Sequence, residues 1–177
     1  MRLKIISIIA LITISLSVNA QTQKSSERNE AASRMLFELP PFERAVCCIR
    51  FYEGMHRAKD YPYVGYGQKL RPGERYSANM STNEAEQLLR KDLKELCAMF
   101  RSYGQDSLLL AALSYNIGPY KVTGYKGKYP KSSVLKKLEV GNRNIRDEYV
   151  NHCHWRGKRI PSIERRRYAE LMLLFTP

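Results

Sequence analysis

Beyond residue 40, apolar residues recur every three to four positions over most of the chain, a spacing that predicts helices. In "FERAVCCIRFYEG", Phe42, Val46, Ile49 and Phe51 or Tyr52 fall near one face, and Gly54 sits where such a helix ends. "STNEAEQLLRKDLKELCAMFRSYG" places Leu88, Leu89, Leu93, Leu96 and Phe100 on one side, with Ser81 and Glu84 forming a capping box at its start. "DSLLLAALSYNIG" is almost continuously apolar, which marks a buried central helix closed by Gly118. A short helix through "SSVLKKLEVG" is capped by Ser132 or Ser133 and stopped by Gly141, and "NRNIRDEYVNHCHW" predicts another. The last, "PSIERRRYAELMLLF", opens on Pro161 and has an apolar side of Ile163, Leu171, Leu174 and Phe175.

Residues 55–80 lose this periodicity. "YPYVGYGQKL" alternates and predicts a short hairpin, and "RPGERYS" reads as a turn. Residues 119–130 read as a Tyr/Lys/Gly loop. The expected fold class is α+β and mostly helical, with a small β-hairpin lobe set in a helical domain.

The N-terminus follows a different pattern. "MRLK" is a positive head, "IISIIALITISLSV" an apolar run, and Val18 and Ala20 are small residues before Gln21. This is the layout of a signal peptide over residues 1–20, cut after Ala20. The run is short for a full membrane span. Residues 21–38 are polar and expected to be flexible, and residues 39–177 form the domain. That length buries a core without needing disulfides. The expected location is the periplasm or the cell exterior.

Charge narrows the partners. The net charge is +13; Arg2 and Lys4 lie in the leader, which leaves +11 on the rest. A basic exported chain is drawn to anionic wall polymers or lipid headgroups, and export makes nucleic acid the least suited of the polyanions. The four cysteines, Cys47, Cys48, Cys97 and Cys153, lack zinc-ligand spacing. Export permits a disulfide. Neighbours on a helix point about 100° apart, so the favoured bridge joins Cys97 to either Cys47 or Cys48, with buried free thiols as the alternative.

The candidate chemistry starts at Glu53. A carboxylate at a helix C-terminus faces the negative end of the dipole, so it stands against its own preference. Burial beside Phe51, Tyr52 and Tyr66 would raise its pKa and keep it protonated, as a general acid for glycoside cleavage requires. Asp60 is the only other carboxylate before Glu74, and a turn can bring it across a cleft as the second group.

Six segments, in order over roughly residues 42–175, resemble the phage-type lysozymes of glycoside hydrolase family 24: "FYEGMHR", "VGYGQKL", "STNEAEQLLRKDL", "LLAALSYNIGPY", "SSVLKKLEVG" and "SIERRRYAELMLL". The resemblance implies a two-lobed fold with peptidoglycan between the lobes. It implies inverting hydrolysis of the β-1,4 bond between N-acetylmuramic acid and N-acetylglucosamine, by a monomer, with no metal and no cofactor. Glu53 falls on the family's acid. Arg166 and Arg167 fall on its arginine pair, one of which would orient the carboxylate. Asn116 falls in the groove segment.

The chain departs from the family around the second catalytic group. The family's Asp and Thr positions correspond to Pro62 and Tyr63, and the His after Gly-x-Gly is Gln68. Asp60 is the candidate to replace the Asp, with Tyr63 or, less well placed, His56 as water-handling alternatives; a fold that binds peptidoglycan without cleaving it is the other reading. Tyr61, Tyr63, Tyr66, Tyr76, Tyr120 and Tyr125 fit a sugar site, where rings stack and hydroxyls bond; Tyr63 and Tyr66 are the chosen binding residues alongside Asn116.

Overall fold

The structure is a computed structural model that describes residues 30–177 other than residue 33. The expected leader, and the part of the flexible segment before residue 30, lie outside the described residues. The chain divides at residue 40 into two units. In the first, residues 30–32 and 34–38 are helical. The second, Pro41–Pro177, carries the site.

Helix α1 runs Pro41–Glu53, and Gly54 ends it at φ +66 with its N–H bonded to the Arg50 carbonyl. A side chain at positive φ is strained, so glycine is the residue that lets the chain turn away directly after Glu53. Tyr63–Val64 (β1) pairs antiparallel with Gln68–Lys69 (β2), in the register Tyr63 to Lys69. The His56 N–H donates to the Gly65 carbonyl at 2.8 Å, which ties the loop after α1 onto this hairpin.

The long helix α2 runs Thr82–Met99. Its capping box forms as expected: Glu84 N–H donates to Ser81 Oγ, and Ser81 N–H to Glu84 Oε2 at 2.8 Å. Helix α3, Ser107–Ile117, is buried from Leu109 to Ser114 and packs on α1 and α2. Ala45, Ile49, Leu89, Leu93, Leu109, Leu110 and Leu113 have no exposed surface and form the core between these helices. Each large apolar side chain buried there contributes about 1.5–3 kcal/mol. Along the rim, Arg90 pairs with Glu43 and Glu86, and Arg50 joins Glu86 to the Tyr66 hydroxyl.

Gly118 and Gly124, both at φ +88, bracket a short helix α4, Pro119–Thr123, where the sequence predicted only loop. Proline at its first position needs no N–H partner and starts it. Helix α5, Ser133–Glu139, is capped by Ser132, whose Oγ accepts from Leu135 N–H.

The helix predicted through "NRNIRDEYVNHCHW" is a correction. Only Arg146–Val150 (α6) is helical, and His154–Trp155 (β3) then pairs with Lys158–Arg159 (β4). Arg156 (φ 49) and Gly157 (φ 75) make the tight turn; two positive φ angles match the twist of a two-residue hairpin.

Helix α7, Pro161–Leu174, follows. Its expected apolar side packs against the core through Leu171, Leu174 and Phe175. The buried residues are Arg166, Arg167, Glu170 and Leu173, whereas Leu171, Leu174 and Phe175 are half-buried. All four cysteines are free thiols rather than one being bridged to Cys97. Cys48 is turned toward α7, close to Glu170 and Arg166, and burial pushes its thiol up to about 12.

Candidate active site

Glu53 ends α1, and its side chain keeps only 18% of its surface. Arg166 reaches it from α7, donating Nη1–H to Oε1 at 2.5 Å. Asn116, one residue before the end of α3, donates Nδ2–H to the same oxygen at 3.3 Å. Oε2 faces the hairpin turn: a Cβ on Gly67 would stand 3.3 Å from it. Glycine at φ +89 is thus required twice, for the turn and for the space.

Behind Glu53 the contacts close into a ring. Arg166 Nε–H donates to Glu170 Oε1 at 2.7 Å. Arg167 Nη1–H donates to Glu170 Oε2, and its Nη2–H to Asn116 Oδ1. From Asn116 the path returns to Glu53. Two further groups fix the ring from α6 and the turn after it: the Tyr149 hydroxyl donates to Glu170 Oε2 at 2.9 Å, and the His152 carbonyl accepts Arg167 Nε–H at 3.1 Å. Arg167 and Glu170 are fully buried.

A buried charge is tolerated only when paired and bonded on most of its sites. The two arginines and two glutamates meet that condition. Burial opposes the Arg166 charge, but Glu170 and Glu53 more than offset this, and its pKa stands above the usual arginine value. Burial pulls the His152 imidazole down to about 4, helped by the Arg167 charge, so it is neutral here.

The sequence-nominated residues fall into two cavities. Asp60 shares with Glu53, His56 and Lys59 a shallow cavity of about 280 Å³. Its Oδ2 accepts Arg57 N–H at 2.9 Å, which caps the single turn Ala58–Asp60. The His56 ring stands beside both Gly67 and Tyr63, and its Nδ1 is buried without a partner.

A groove of about 590 Å³ lies on the other side of the turn. Tyr63, Gln68, Lys69, Asp92, Asn116 and Tyr120 line it. Tyr63 and Tyr120 are 43% and 57% exposed, so their faces are open for stacking. Burial raises Asp92 to about 6, and its Oδ2 has no partner.

Tyr66 goes elsewhere. It is buried in the core, where its hydroxyl accepts from Arg50 and its carbonyl from the Tyr115 hydroxyl at 2.9 Å. Arg166 and Arg167 are part of the Glu53 ring and carry no solvated face. Glu170, Tyr149 and His152 were not nominated from the sequence. The signal for Glu170 was its spacing, four and three residues beyond two arginines on one helix.

Among family models, the one described as Phage lysozyme matches residues 50–170. The chain belongs to the phage lysozyme family. The matched span takes in every member of the Glu53 ring. No curated protein matches the chain. The solved structure of an endolysin from Escherichia coli O157:H7 phage FAHEc1 aligns with a TM-score of 0.58 at 19% identity, over 77% of this chain and 94% of the endolysin. At that identity the likeness shows the lysozyme-like fold. Among the described residues no helix is long and apolar enough to cross a membrane.

Proposed function

We propose that this protein is an exported peptidoglycan hydrolase that cleaves the β-1,4 bond between N-acetylmuramic acid and N-acetylglucosamine. The observation that carries the reading is the divided state of the Glu53 carboxyl. Oε1 is held by Arg166 and Asn116, while Oε2 is turned to a cavity edge beside Gly67. A carboxyl anchored through one oxygen is oriented for proton transfer through the other.

In the proposed step Glu53 gives its proton to the glycosidic oxygen. The bond from that oxygen to the anomeric carbon breaks, and its electron pair stays on the leaving oxygen. Water adds to the anomeric carbon from the opposite face and loses its proton to Asp60, which gives inversion. Tyr63 and Tyr120 would stack on sugar rings in the groove, and Lys69 and Arg71 would meet the carboxylates of the muramyl groups and peptide stems.

One observation favours a second reading, a wall-binding protein that does not hydrolyse. Asp60 spends one oxygen on its own turn, which reduces it as a base. Release of reducing ends from purified peptidoglycan by the wild type, Glu53→Gln and Asp60→Asn decides between the two. Loss of release in both variants supports the hydrolase with Asp60 as base. Loss at Glu53 alone keeps the hydrolase and assigns the base elsewhere. A folded wild type that binds peptidoglycan without releasing reducing ends leaves only the binding reading.

A further inference from the structure

Glu170 touches neither cavity, yet it holds the centre of the ring. Its two oxygens accept from Arg166, Arg167 and Tyr149. It has no exposed surface. A buried carboxylate that accepts from two guanidinium groups withdraws positive potential from whatever else those groups face. Among the described residues, the other carboxylate paired with Arg166 is Glu53.

We propose that Glu170 is a positioning residue that sets how much of the Arg166 charge reaches Glu53. With Glu170 ionised, two arginines stand against two carboxylates, and Glu53 meets a guanidinium whose charge is already shared. Without the Glu170 charge, both arginines bear on Glu53 alone. Its carboxylate form would be favoured, and a general acid that has lost its proton does no work.

The other groups facing this pair are few. Toward Glu53 they are His56, Arg57, Lys59 and Asp60 from the following loop and Tyr115 from α3. Toward Glu170 they are Tyr149 from α6, His152 from the turn after it, and Cys48 and Tyr52 from α1. His152 and these tyrosines and Cys48 are neutral near pH 7, because burial keeps each in its uncharged form. Among the described residues, Glu170 is the carboxylate besides Glu53 that pairs with Arg166.

The effect of Glu170 on the Glu53 carboxyl follows from the ring alone. Its effect on catalysis rests on Glu53 being the acid proposed above. The test is a titration of side-chain carboxyl carbons by NMR, in the wild type and in Glu170→Gln. The Glu53 midpoint is expected to move to lower pH by about one unit in the variant. The alkaline limb of the pH profile of peptidoglycan cleavage should move with it, with little change in KM.

The double variant Glu170→Gln/Arg167→Gln removes one charge of each sign and is expected to bring the midpoint back toward the wild-type value. A purely structural role for Glu170 predicts no such return. An unmoved midpoint in folded Glu170→Gln overturns the proposal. Should that variant not fold, the wild type decides: Glu170 is expected to remain a carboxylate throughout the Glu53 titration, and a Glu170 that is protonated at neutral pH overturns the proposal. A wild type that cleaves nothing refutes the hydrolase reading and leaves the carboxyl titration to judge this one.

Discussion

Asn116 bridges Glu53 and Arg167: its amide N–H donates to Glu53 Oε1, and its carbonyl oxygen accepts from Arg167 Nη2. One side chain from α3 therefore joins the end of α1 to the buried face of α7. Both halves of the amide are needed, since a carboxylate lacks the donor and an alanine lacks both. Asn116→Ala is expected to leave a buried guanidinium nitrogen unpaired at about 1–3 kcal/mol. Peptidoglycan cleavage should fall by about tenfold or more, because the Glu53 carboxyl loses one of its two anchors. Urea unfolding and a reducing-end assay measure the two effects separately.

Arg166 works as a fork. It reaches Glu53 through Nη1 and Glu170 through Nε, with its plane fixed by both. A lysine carries the same charge on a single nitrogen and cannot make both bonds in that geometry. Arg166→Lys should therefore reduce cleavage by about tenfold or more while peptidoglycan pull-down stays near wild type. Equal loss of binding and cleavage would argue against an orienting role.

Gly67 is the tightest point around the free oxygen of Glu53. An added methyl would meet Oε2 at 3.3 Å and would also sit at φ +89. Gly67→Ala is expected to destabilise the fold by about 1–2 kcal/mol. Its loss of activity should exceed what the unfolded fraction explains, because the methyl occupies the space before Oε2, the oxygen proposed to deliver the proton. Gly73, which has open space around it, is the control.

Asp92 gives a pH-dependent prediction. Burial raises its pKa to about 6 from a model-peptide value of 3.8. The folded protein therefore binds this proton more tightly than the unfolded chain does. The stabilisation is complete below about pH 4, declines as pH rises through about 6, and is absent above that. Asp92→Asn removes the charge that is costly to bury and should be more stable than the wild type at pH 8 by about 1–2 kcal/mol. At pH 4 the difference should vanish. Thermal or urea unfolding at the two pH values measures it, and a constant difference would mean that Asp92 is not the titrating group.

Much of this was legible before any coordinates. Helices α1, α2 and α3 declare themselves through apolar spacing, and Ser81, Glu84, Gly54 and Gly118 mark their ends. Glu53 stood out because Gly54 fixes it as the last helical residue, where a carboxylate is out of place. The second hairpin did not show, because strands of two residues are too short to display alternation, and Trp155 and His154 read equally well as helix. The most deeply buried face of α7 did not show for a different reason. Arginine and glutamate usually signal solvent, so a helix that buries Arg166, Arg167 and Glu170 looks polar where it is most enclosed. Family resemblance identified the arginines; only packing revealed what neutralises them. Tyr66 was nominated as a groove aromatic, yet it serves the core, since nothing local distinguishes a ring that stacks on a ligand from one that fills a gap.

Glu53 and Arg166 are 113 positions apart in the chain. A ribosome makes the acid long before it makes the arginine, and domains fold as their residues emerge. The Glu53 carboxyl therefore lacks its Arg166 anchor until nearly the whole chain exists, and before that has only the Asn116 amide. A product that stops short of α7 would contain Glu53, the hairpin and Asn116, and would still lack the guanidinium that holds Oε1. The last helix is thus the element that closes the ring around Glu53.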